Sequence, residues 1–455
     1  MKNTLKAGFG CVDITPPLGI ELRGYFQERR ARGILDSLCL RALALTCGTQ
    51  TTVLLSMDVC AVEEALSTPL RERAAEATGL PLDAIVLAAT HTHTGPHLRP
   101  DSADPAEADY CRMLFHKVAD AARLALDDRK PAKMGYGVGC APHISFPRRY
   151  RMRDGAVRTN PGVDNPEILE ALGQVDERVN VLRFRRECGK DLILVNFGCH
   201  PDTVGGDLIS ADWPGFLCRT VEQALDGAAC MFFNGAQGDV NHVNVHPRGG
   251  DGNGMHMEFD DVPRGYGHAR HMGRVVAGAV LQVCDKVCDC DVDAVLFRSR
   301  RICIPTNRPA PDELPEARRI VEMEQSGRTG ELPWSGMALT TKLANARRIL
   351  RLADSPAAVN MTLYAVSLGA VALVGIPGEG FTEIGLHIKR NPGWDLILPV
   401  CLANGCAGYF PTQSAYDEGG YEIVTSNFRE GVAELIMREA AVLLSELRAE
   451  RGGGR

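Results

Sequence analysis

The chain has 455 residues, of which 45% are hydrophobic and 24% are charged, the composition of an ordinary globular protein. Its formal net charge is −7, and its basic residues are scattered rather than gathered into a stripe, which excludes nucleic acid as a partner. No run of 18 apolar residues occurs and no apolar segment follows the N-terminal lysines, so we expect a cytoplasmic protein with no signal peptide and no membrane insertion.

Short apolar runs alternate with amphipathic helical patterns through the first part of the chain. The runs predict buried strands at 51–56, 84–89, 191–197 and 229–233. The patterns between them predict helices at 107–126, 213–224 and 272–287. Because strands and helices alternate, we predict an α/β fold in which helices flank a mixed, largely buried β-sheet.

The last third of the chain has a different residue pattern. Glu and Arg recur at helical spacing in 311–325 and 337–353, which is typical of solvent-facing helices, and we expect a helical insertion or cap at about 308–356. A hairpin at 362–376, a strand at 395–402 and a closing helix at 427–447 are predicted to follow. Since no internal repeat and no low-complexity linker interrupts the pattern, we treat 1–455 as a single domain.

Two long polar stretches, at 142–165 and 241–267, are rich in Gly, Pro, Arg and His. Loops of this length usually carry a site or its lid. The histidine-rich part, 242–268, fits either a lid or a contact between copies in a homo-oligomer, and the sequence leaves that choice and the oligomeric state open.

The sharpest motif is Ala-Ala-Thr-His-Thr-His-Thr-Gly-Pro at 88–96, which follows a predicted strand. Alternate residues of an extended segment point the same way, so His91 and His93 can enter one pocket at the carboxyl end of that strand, where ligands of open α/β sheets collect. One of the two can bind a metal while the other orients it or transfers protons. Two solvent-facing histidines in a turn would give the same pattern.

Four further motifs follow predicted strands. Asn-Phe-Gly-Cys-His-Pro-Asp contains His200 and ends at Asp202, and Asn-Gly-Ala-Gln-Gly-Asp-Val-Asn contains Asp239. Pro-Gly-Glu ends at Glu379, and Ala-Asn-Gly-Cys-Ala-Gly-Tyr ends at Tyr409. A histidine or a carboxylate at a strand end can be a zinc ligand, and an aspartate there can orient a histidine or contact a substrate. Each motif alone also fits a hydrogen-bonded turn.

Together and in this order, the motifs resemble the neutral/alkaline, non-lysosomal ceramidase family, and the opening Gly-Cys-Val-Asp-Ile-Thr-Pro at 10–16 fits as well. The resemblance covers nearly the whole chain. It implies a zinc ion held by two histidines, a glutamate and a tyrosine, here His91, His200, Glu379 and Tyr409. It also implies that His93, Tyr421 and Arg148 take part in catalysis.

The sequence departs from that family at two points. Ceramidases carry a serine directly after Gly-Asp-Val, where this chain has Asn241. An amide side chain can hydrogen-bond a carbonyl but cannot be a nucleophile, so we assign Asn241 to the catalytic set as a group that holds the developing oxyanion. The chain is also too short for the C-terminal immunoglobulin-like domain of the full enzymes, so we expect the fold of the catalytic domain without it.

We therefore predict a zinc-dependent hydrolase that cleaves an amide C–N bond of a small polar or N-acylated substrate by attack of zinc-bound water. Five arginines between 148 and 158 favour a small polar or anionic substrate over a long lipid tail, although arginines that only solvate a loop would look the same. Arg149, Asp202 and Asp239 are predicted to contact the substrate. The alternatives are a zinc-binding module without activity, and a zinc enzyme that acts on an ester or a lactone.

Overall fold

The computed structural model describes residues 4–258 and 260–453. Its strands are β1 Lys6–Asp13, β2 Glu21–Leu22, β3 Arg29–Arg30, β4 Gly33–Ile34, β5 Cys39–Cys47, β6 Gln50–Met57, β7 Ile85–Ala89, β8 Lys130–Cys140, β9 Phe146–Pro147, β10 Arg149–Met152, β11 Val157–Thr159, β12 Ile168–Leu172, β13 Arg178–Arg186, β14 Leu192–Phe197, β15 Leu208–Ile209, β16 Ala229–Asn234, β17 Val240–Asn241, β18 His256–Met257, β19 Pro263–Arg264, β20 Cys288–Cys290, β21 Val295–Pro305, β22 Ala358–Leu368, β23 Val371–Ile376, β24 Glu379–Gly380, β25 Leu396–Cys401 and β26 Tyr409–Phe410. Its helices are α1 Glu64–Thr78, α2 Pro105–Asp127, α3 Asp212–Ala224, α4 Tyr266–Cys284, α5 Leu314–Gln325, α6 Gly336–Leu352, α7 Thr382–Lys389, α8 Gln413–Glu418, α9 Tyr421–Val424 and α10 Val432–Gly453. None of these helices is long and apolar enough to cross a membrane.

The larger sheet has nine strands, in the order β16-β14-β13-β8-β1-β5-β6-β7, with β20 paired to β8. The pairs at its two ends, β14 with β16 and β6 with β7, are parallel, and the pairs between them are antiparallel. Successive side chains of a strand point to opposite faces. On β13, Leu182 and Phe184 belong to one buried cluster, and Val179 and Val181 belong to another that includes α3 and α4. Both faces of this sheet are therefore covered.

The smaller sheet has four strands, in the order β21-β22-β23-β25. Leu373 and Leu398 on one of its faces share a buried cluster with Leu182 of the larger sheet. Val374 on its other face shares a cluster with Leu443 of α10, and α7 and α10 cover that face. Two sheets packed face to face, with helices outside each, form a four-layer core. The predicted α/β fold with a mixed, buried sheet flanked by helices is confirmed.

The strands predicted at 51–56, 84–89, 191–197 and 229–233 are β6, β7, β14 and β16, and the predicted hairpin is the pair β22–β23. The predicted starts of two helices are wrong. α4 begins at Tyr266, earlier than predicted. The first turns carry Gly, His and Arg, and these residues hide the apolar periodicity from which the helix was predicted. α10 begins at Val432 because Gly431, with a φ of 87°, lies in the left-handed region, where a right-handed helix cannot continue.

Helices α5 and α6 connect β21 to β22. They pack on each other through a small apolar cluster of their own, which includes Ala317, Ile320, Leu343 and Ile349. The face of α6 that carries Arg348 and Arg351 borders the loops at the strand ends. The reading of the chain as one domain with an insertion at about 308–356 stays a prediction, and we propose that this helical pair caps the site described next.

Candidate metal centre

Loops that follow strand ends converge at one edge of the two packed sheets. β7 and β14 of the larger sheet lead to His91 and His200, and β23 of the smaller sheet leads to Glu379. Tyr409 is the register partner of Glu379 in the short parallel ladder of β24 and β26. The candidate site therefore takes its side chains from both sheets, at the carboxyl ends of strands, where ligands collect in α/β folds.

Three buried side chains point at one another at this edge. Glu379 Oε2 lies 3.1 Å from His200 Nε2 and 3.3 Å from His91 Nε2, and the three ligand atoms all lie within 4.8 Å of one another. Within the described part of the chain, Glu379 Oε2 has no hydrogen-bond partner of good geometry. Burial alone would raise the pKa of Glu379, but the two histidines hold it well below its usual range. A buried anionic oxygen between two imidazole nitrogens is a donor set that zinc takes.

The other ring nitrogen of each histidine is held by the backbone. His91 Nδ1 donates to the Cys60 carbonyl at 2.6 Å, and His200 Nδ1 donates to the Gln237 carbonyl at 2.8 Å. In a neutral ring these bonds place the lone pair on Nε2, the arrangement typical of histidines that bind metals. Burial alone would lower the pKa of His91, but the neighbouring Glu379 carboxylate raises it well above its usual value. Burial, followed by the charge of Arg148, lowers the pKa of His200 to about 3, so this imidazole is neutral at neutral pH.

A second set of ligand atoms, from Cys60, His91 and His93, also lies within 4.8 Å. Cys60 Sγ lies 3.8 Å from His91 Nδ1, which is the nitrogen that already donates to the Cys60 carbonyl. The set with Glu379 is the better candidate because both of its histidines direct Nε2 at a carboxylate oxygen while the backbone holds Nδ1.

The backbone of His91 is strained. Its φ of 80° lies in the left-handed region, which is uncommon for a residue with a side chain. Its N–H donates to the Val59 carbonyl at 2.9 Å while its ring is held at Cys60, so the surroundings keep it in place. Strain of this kind costs about 1–3 kcal/mol and clusters at functional sites.

Gly238 packs directly against the backbone of β24, the short strand that begins at Glu379. Its N–H donates to the Gly380 carbonyl at 2.9 Å, and a Cβ added to it would lie 2.6 Å from the Glu379 carbonyl oxygen. Because backbone blocks that position, we expect Gly238→Ala to displace β24 and to weaken zinc binding about 10- to 100-fold, the range seen for residues that orient metal ligands. Competition with a chromophoric chelator measures this. Gly278→Ala is the control, since its Cβ meets open space on α4, and equal zinc affinity in the two variants would contradict the expectation.

His93 lies beside the three ligands and is backed by an acidic side chain. Its Nε2 lies 3.3 Å from His91 Nε2, and its Nδ1 lies 3.3 Å from Asp202 Oδ1. Asp202 also accepts a hydrogen bond from the Tyr25 hydroxyl at 2.7 Å and pairs with Arg264 at 3.0 Å. Burial alone would raise the pKa of Asp202, but the charge of Arg264 holds it well below its usual range. Asp202 is therefore an anion that orients His93.

Arg148 lies beside His200 and is almost fully buried. Its guanidinium donates to Glu422 Oε1 at 2.7 Å, and Nη1 lies 3.1 Å from His200 Nε2. The guanidinium carbon stands 5.3 Å from the centre of the Tyr409 ring, which is 5.8 Å from the Tyr421 ring, edge to face. Burial raises the pKa of both tyrosines, so each hydroxyl keeps its proton at neutral pH.

Two adjoining cavities open onto these groups. The larger has a volume of about 440 Å³, and its walls include His91, His93, Glu379, Tyr409 and Tyr421. The smaller, of about 160 Å³, shares His93 and both tyrosines and adds Arg148, Asp202 and Arg264. The larger volume is within the range of small-molecule sites.

Asn241 lies on the wall of neither of these two cavities. Its side-chain amide donates to Asn160 Oδ1 at 3.0 Å, and its own oxygen accepts from the Val243 N–H at 3.0 Å. Both polar ends are therefore used inside the protein. Its predicted role in holding an oxyanion stays a prediction, and the contacts describe a residue that fixes Asn160, which does line the smaller cavity.

Asp239 and Arg149 also stand away from both cavities. Asp239 Oδ1 accepts from the N–H and the hydroxyl of Thr382, the first residue of α7. Arg149 is buried and pairs with Glu418 at 3.0 Å. Their predicted contacts with substrate stay predictions, whereas Asp202 does line the smaller cavity.

Of the five arginines between 148 and 158, only Arg148 lines either cavity. Arg151 pairs with Glu170 at 2.9 Å, and Arg158 pairs with Asp154 at 2.7 Å, all of them partly exposed. The charges of Arg151 and Arg158 are thus compensated by carboxylates outside both cavities, and the expectation that the arginines of this segment favour a small polar or anionic substrate stays a prediction.

Sequence reasoning missed several residues of the site, namely Tyr25, Cys60, Arg264 and Glu422. Arg264 comes from the polar stretch 241–267 and is almost fully buried against Asp202. Glu422 follows Tyr421 and is the buried partner of Arg148. No local pattern distinguishes these charged residues from exposed ones; the only signal was the unusual length of the stretch that contains Arg264.

Solved structures share this fold over almost the whole chain, and the fold is that of the neutral ceramidases. A crystal structure of neutral ceramidase from Pseudomonas aeruginosa superposes with a TM-score of 0.74 at 18% identity, over 99% of this chain and 75% of that one. A structure described as ceramidase complexed with C2 gives a TM-score of 0.72 at 16% identity, over 98% and 76%. No family model and no curated protein matches the sequence. The predicted resemblance is thus confirmed for the fold, and at these identities the fold alone is established.

Proposed function

We propose that the protein is a zinc-dependent hydrolase that cleaves an amide bond of a small polar or N-acylated substrate. The observation that carries this proposal is the buried convergence of His91 Nε2, His200 Nε2 and Glu379 Oε2, with both histidines oriented through Nδ1. Tyr409, beside Glu379 in the ladder, is the proposed fourth ligand. The names of the structural neighbours support amide hydrolysis, since a ceramidase cleaves an amide.

Zinc bound by these residues would polarise a carbonyl group and lower the pKa of a water molecule to about 7. His93 is the proposed general acid and base. Its Nε2 faces the ligand cluster, and Asp202 behind its Nδ1 favours the tautomer and orientation that proton transfer at Nε2 needs. In catalytic triads, a buried aspartate orients a histidine in the same way.

Arg148 and Tyr421 are the proposed donors to the developing oxyanion. Glu422 fixes the Arg148 guanidinium from behind, and Nη1 points at His200 Nε2. A metal ion on that nitrogen would take its lone pair, which leaves Nη1 for a substrate oxygen. Preorganised donors of this kind act in a buried site at little cost of reorganisation.

Neither alternative gains a specific observation from the structure. The non-catalytic reading relied on Asn241, whose side chain is engaged with Asn160 away from the ligands. Ester or lactone substrates would use the same groups, so a substrate panel has to include them.

The test is hydrolysis of a panel of N-acyl amides, esters and lactones by the zinc-loaded protein. We expect turnover of N-acylated amides, its loss when a chelator removes zinc, and its return when zinc is restored. His91→Ala should stay inactive in all three conditions. If the zinc-loaded wild type and His91→Ala hydrolyse every member of the panel equally poorly, the proposal is wrong; turnover of esters or lactones alone would replace the amide by that bond.

A further inference from the structure

One wall of the larger cavity is made by α6 of the helical cap. Arg348 and Arg351, one turn apart, both line the cavity that holds His91 and Glu379. Arg348 is only 6% exposed, whereas Arg351 is exposed at the cavity mouth. The sequence predicts a solvent-facing helix here, yet this face of α6 looks onto the candidate metal centre.

These two guanidinium groups are bonded to neutral acceptors. Arg348 donates to Asn345 Oδ1 at 3.0–3.1 Å and to the Asn307 carbonyl at 3.0 Å, and Arg351 donates to Asn427 Oδ1. Among the residues that the structure describes, neither has a carboxylate oxygen within the 4.0 Å of an ion pair. Burial lowers the pKa of both groups.

The other charges on the cavity wall are compensated. Arg23 pairs with Glu63 at 3.0 Å, and Arg347 pairs with Glu324 outside the cavity at 2.5 Å. Glu21 is held by His97 at 3.0 Å and also by Arg99, and Glu379 faces the two histidines. After these pairs are counted, the cavity retains two cations, in a protein whose net charge is −7.

A structural role accounts for part of this arrangement. Arg351 lies in the last turn of α6, where a cation interacts favourably with the helix dipole and with terminal carbonyls. That role does not require Arg348, which lies one turn earlier and is buried against neutral groups. Holding a partly desolvated cation beside a second one is unfavourable unless an anion joins them, and a guanidinium fork suits a carboxylate or a phosphate.

We propose that Arg348 and Arg351 bind an oxyanionic group of the substrate, a carboxylate or a phosphate monoester. The substrate then spans the cavity, with its scissile amide at the metal centre and its anionic end under the cap helix. The proposal rests on the proposed function for the position of the amide, but the binding of the anion is an independent property of the two arginines. In this proposal, α6 determines which substrate charge the cavity prefers.

The test compares probes that differ in charge at one end. One arm pairs N-acetyl-4-aminobutanoate with its primary carboxamide, and the other pairs N-acetyl-phosphoethanolamine with N-acetylethanolamine. Dissociation constants are measured by calorimetry on the zinc-loaded protein, and turnover is followed in parallel. We expect the charged member of at least one arm to bind about 10- to 100-fold more tightly, as for hydrogen bonds between charged groups. The arm with the larger preference identifies the oxyanion.

Arg348→Gln and Arg351→Gln should each abolish that preference while zinc content and affinity for the neutral probes stay the same. Arg318→Gln, an exposed arginine on α5 outside the cavity, should keep the wild-type preference. A preference that persists in both cavity variants would mean that the anion binds the metal, and no preference in the wild type would mean that no anion site exists; either result overturns the inference. Absence of zinc or of all turnover, with the charge preference intact, would instead contradict only the proposed function.

Discussion

Replacing His200 with alanine is expected to reduce bound zinc from about one equivalent per chain to a trace. His200 is fully buried, its Nε2 is one of only two imidazole nitrogens that face Glu379 Oε2 in the described part of the chain, and its Nδ1 is committed to the backbone. The group that contacts this nitrogen, at 3.1 Å, is the cationic Arg148, which cannot replace it as a ligand. Elemental analysis of purified protein, after saturation with zinc and removal of the excess, measures the change.

Two further variants keep this result interpretable. Glu379→Gln preserves the shape of the side chain but removes its charge, so it should also lose zinc without leaving a void. His97→Ala removes a histidine from the wall of the same cavity, where it pairs with Glu21, and should keep the full equivalent. Circular dichroism confirms folding in each case. Zinc retained in folded His200→Ala, or no zinc in the wild type, would remove the basis of the proposed function.

Replacing Tyr421 with phenylalanine is expected to lower kcat/KM about 10²- to 10³-fold while zinc content is unchanged, the loss typical of one donor to an oxyanion. The Tyr421 ring stands edge to face with Tyr409 and lines both cavities. Its hydroxyl keeps its proton because burial raises its pKa. The phenyl ring of the variant fills the same space, so the effect reports on the hydroxyl alone.

Tyr416→Phe is the matched control. The Tyr416 hydroxyl donates to the Phe428 carbonyl at 2.7 Å and lines neither cavity. Its loss should cost about 1 kcal/mol of folding free energy and leave kcat/KM within about twofold. Equal activity in the two variants would show that Tyr421 has no part in catalysis. Arg148 is a poorer first target, because its removal deprives the buried Glu422 of its nearest cation and destabilises the fold itself.

The strands that position the site could be predicted from sequence because each is a short apolar run. β7, β14 and β23 are buried along their whole length, and each ends where a histidine or a glutamate follows within a few residues. What a run cannot reveal is which strands become neighbours. That β7 and β23 belong to different sheets, and still deliver His91 and Glu379 to one point, depends on how the two sheets pack.

The cap shows a different limit of sequence reasoning. α6 carries arginines at helical spacing, the usual pattern of a solvated face, and the helix was correctly expected near 337–353. Arg348 is nevertheless buried, because its guanidinium packs against Asn345 and the Asn307 carbonyl at the wall of the cavity. Asn241 illustrates the reverse case. Its motif predicts a catalytic contact, while register pairing of β17 with β9 and a hydrogen bond to Asn160 hold it in the scaffold.

The proposed metal ligands come from two sheets, and a bound ion would therefore affect the stability of the protein. A cation held by His91, His200 and Glu379 would act as a cross-link, and the sheets could not separate without releasing it. At free zinc a thousandfold above its Kd, mass action alone adds about 4 kcal/mol to the stability of the folded state. Loss of the ion and loss of the fold would then become one cooperative event, so zinc supply would set the lifetime of the protein as well as its turnover.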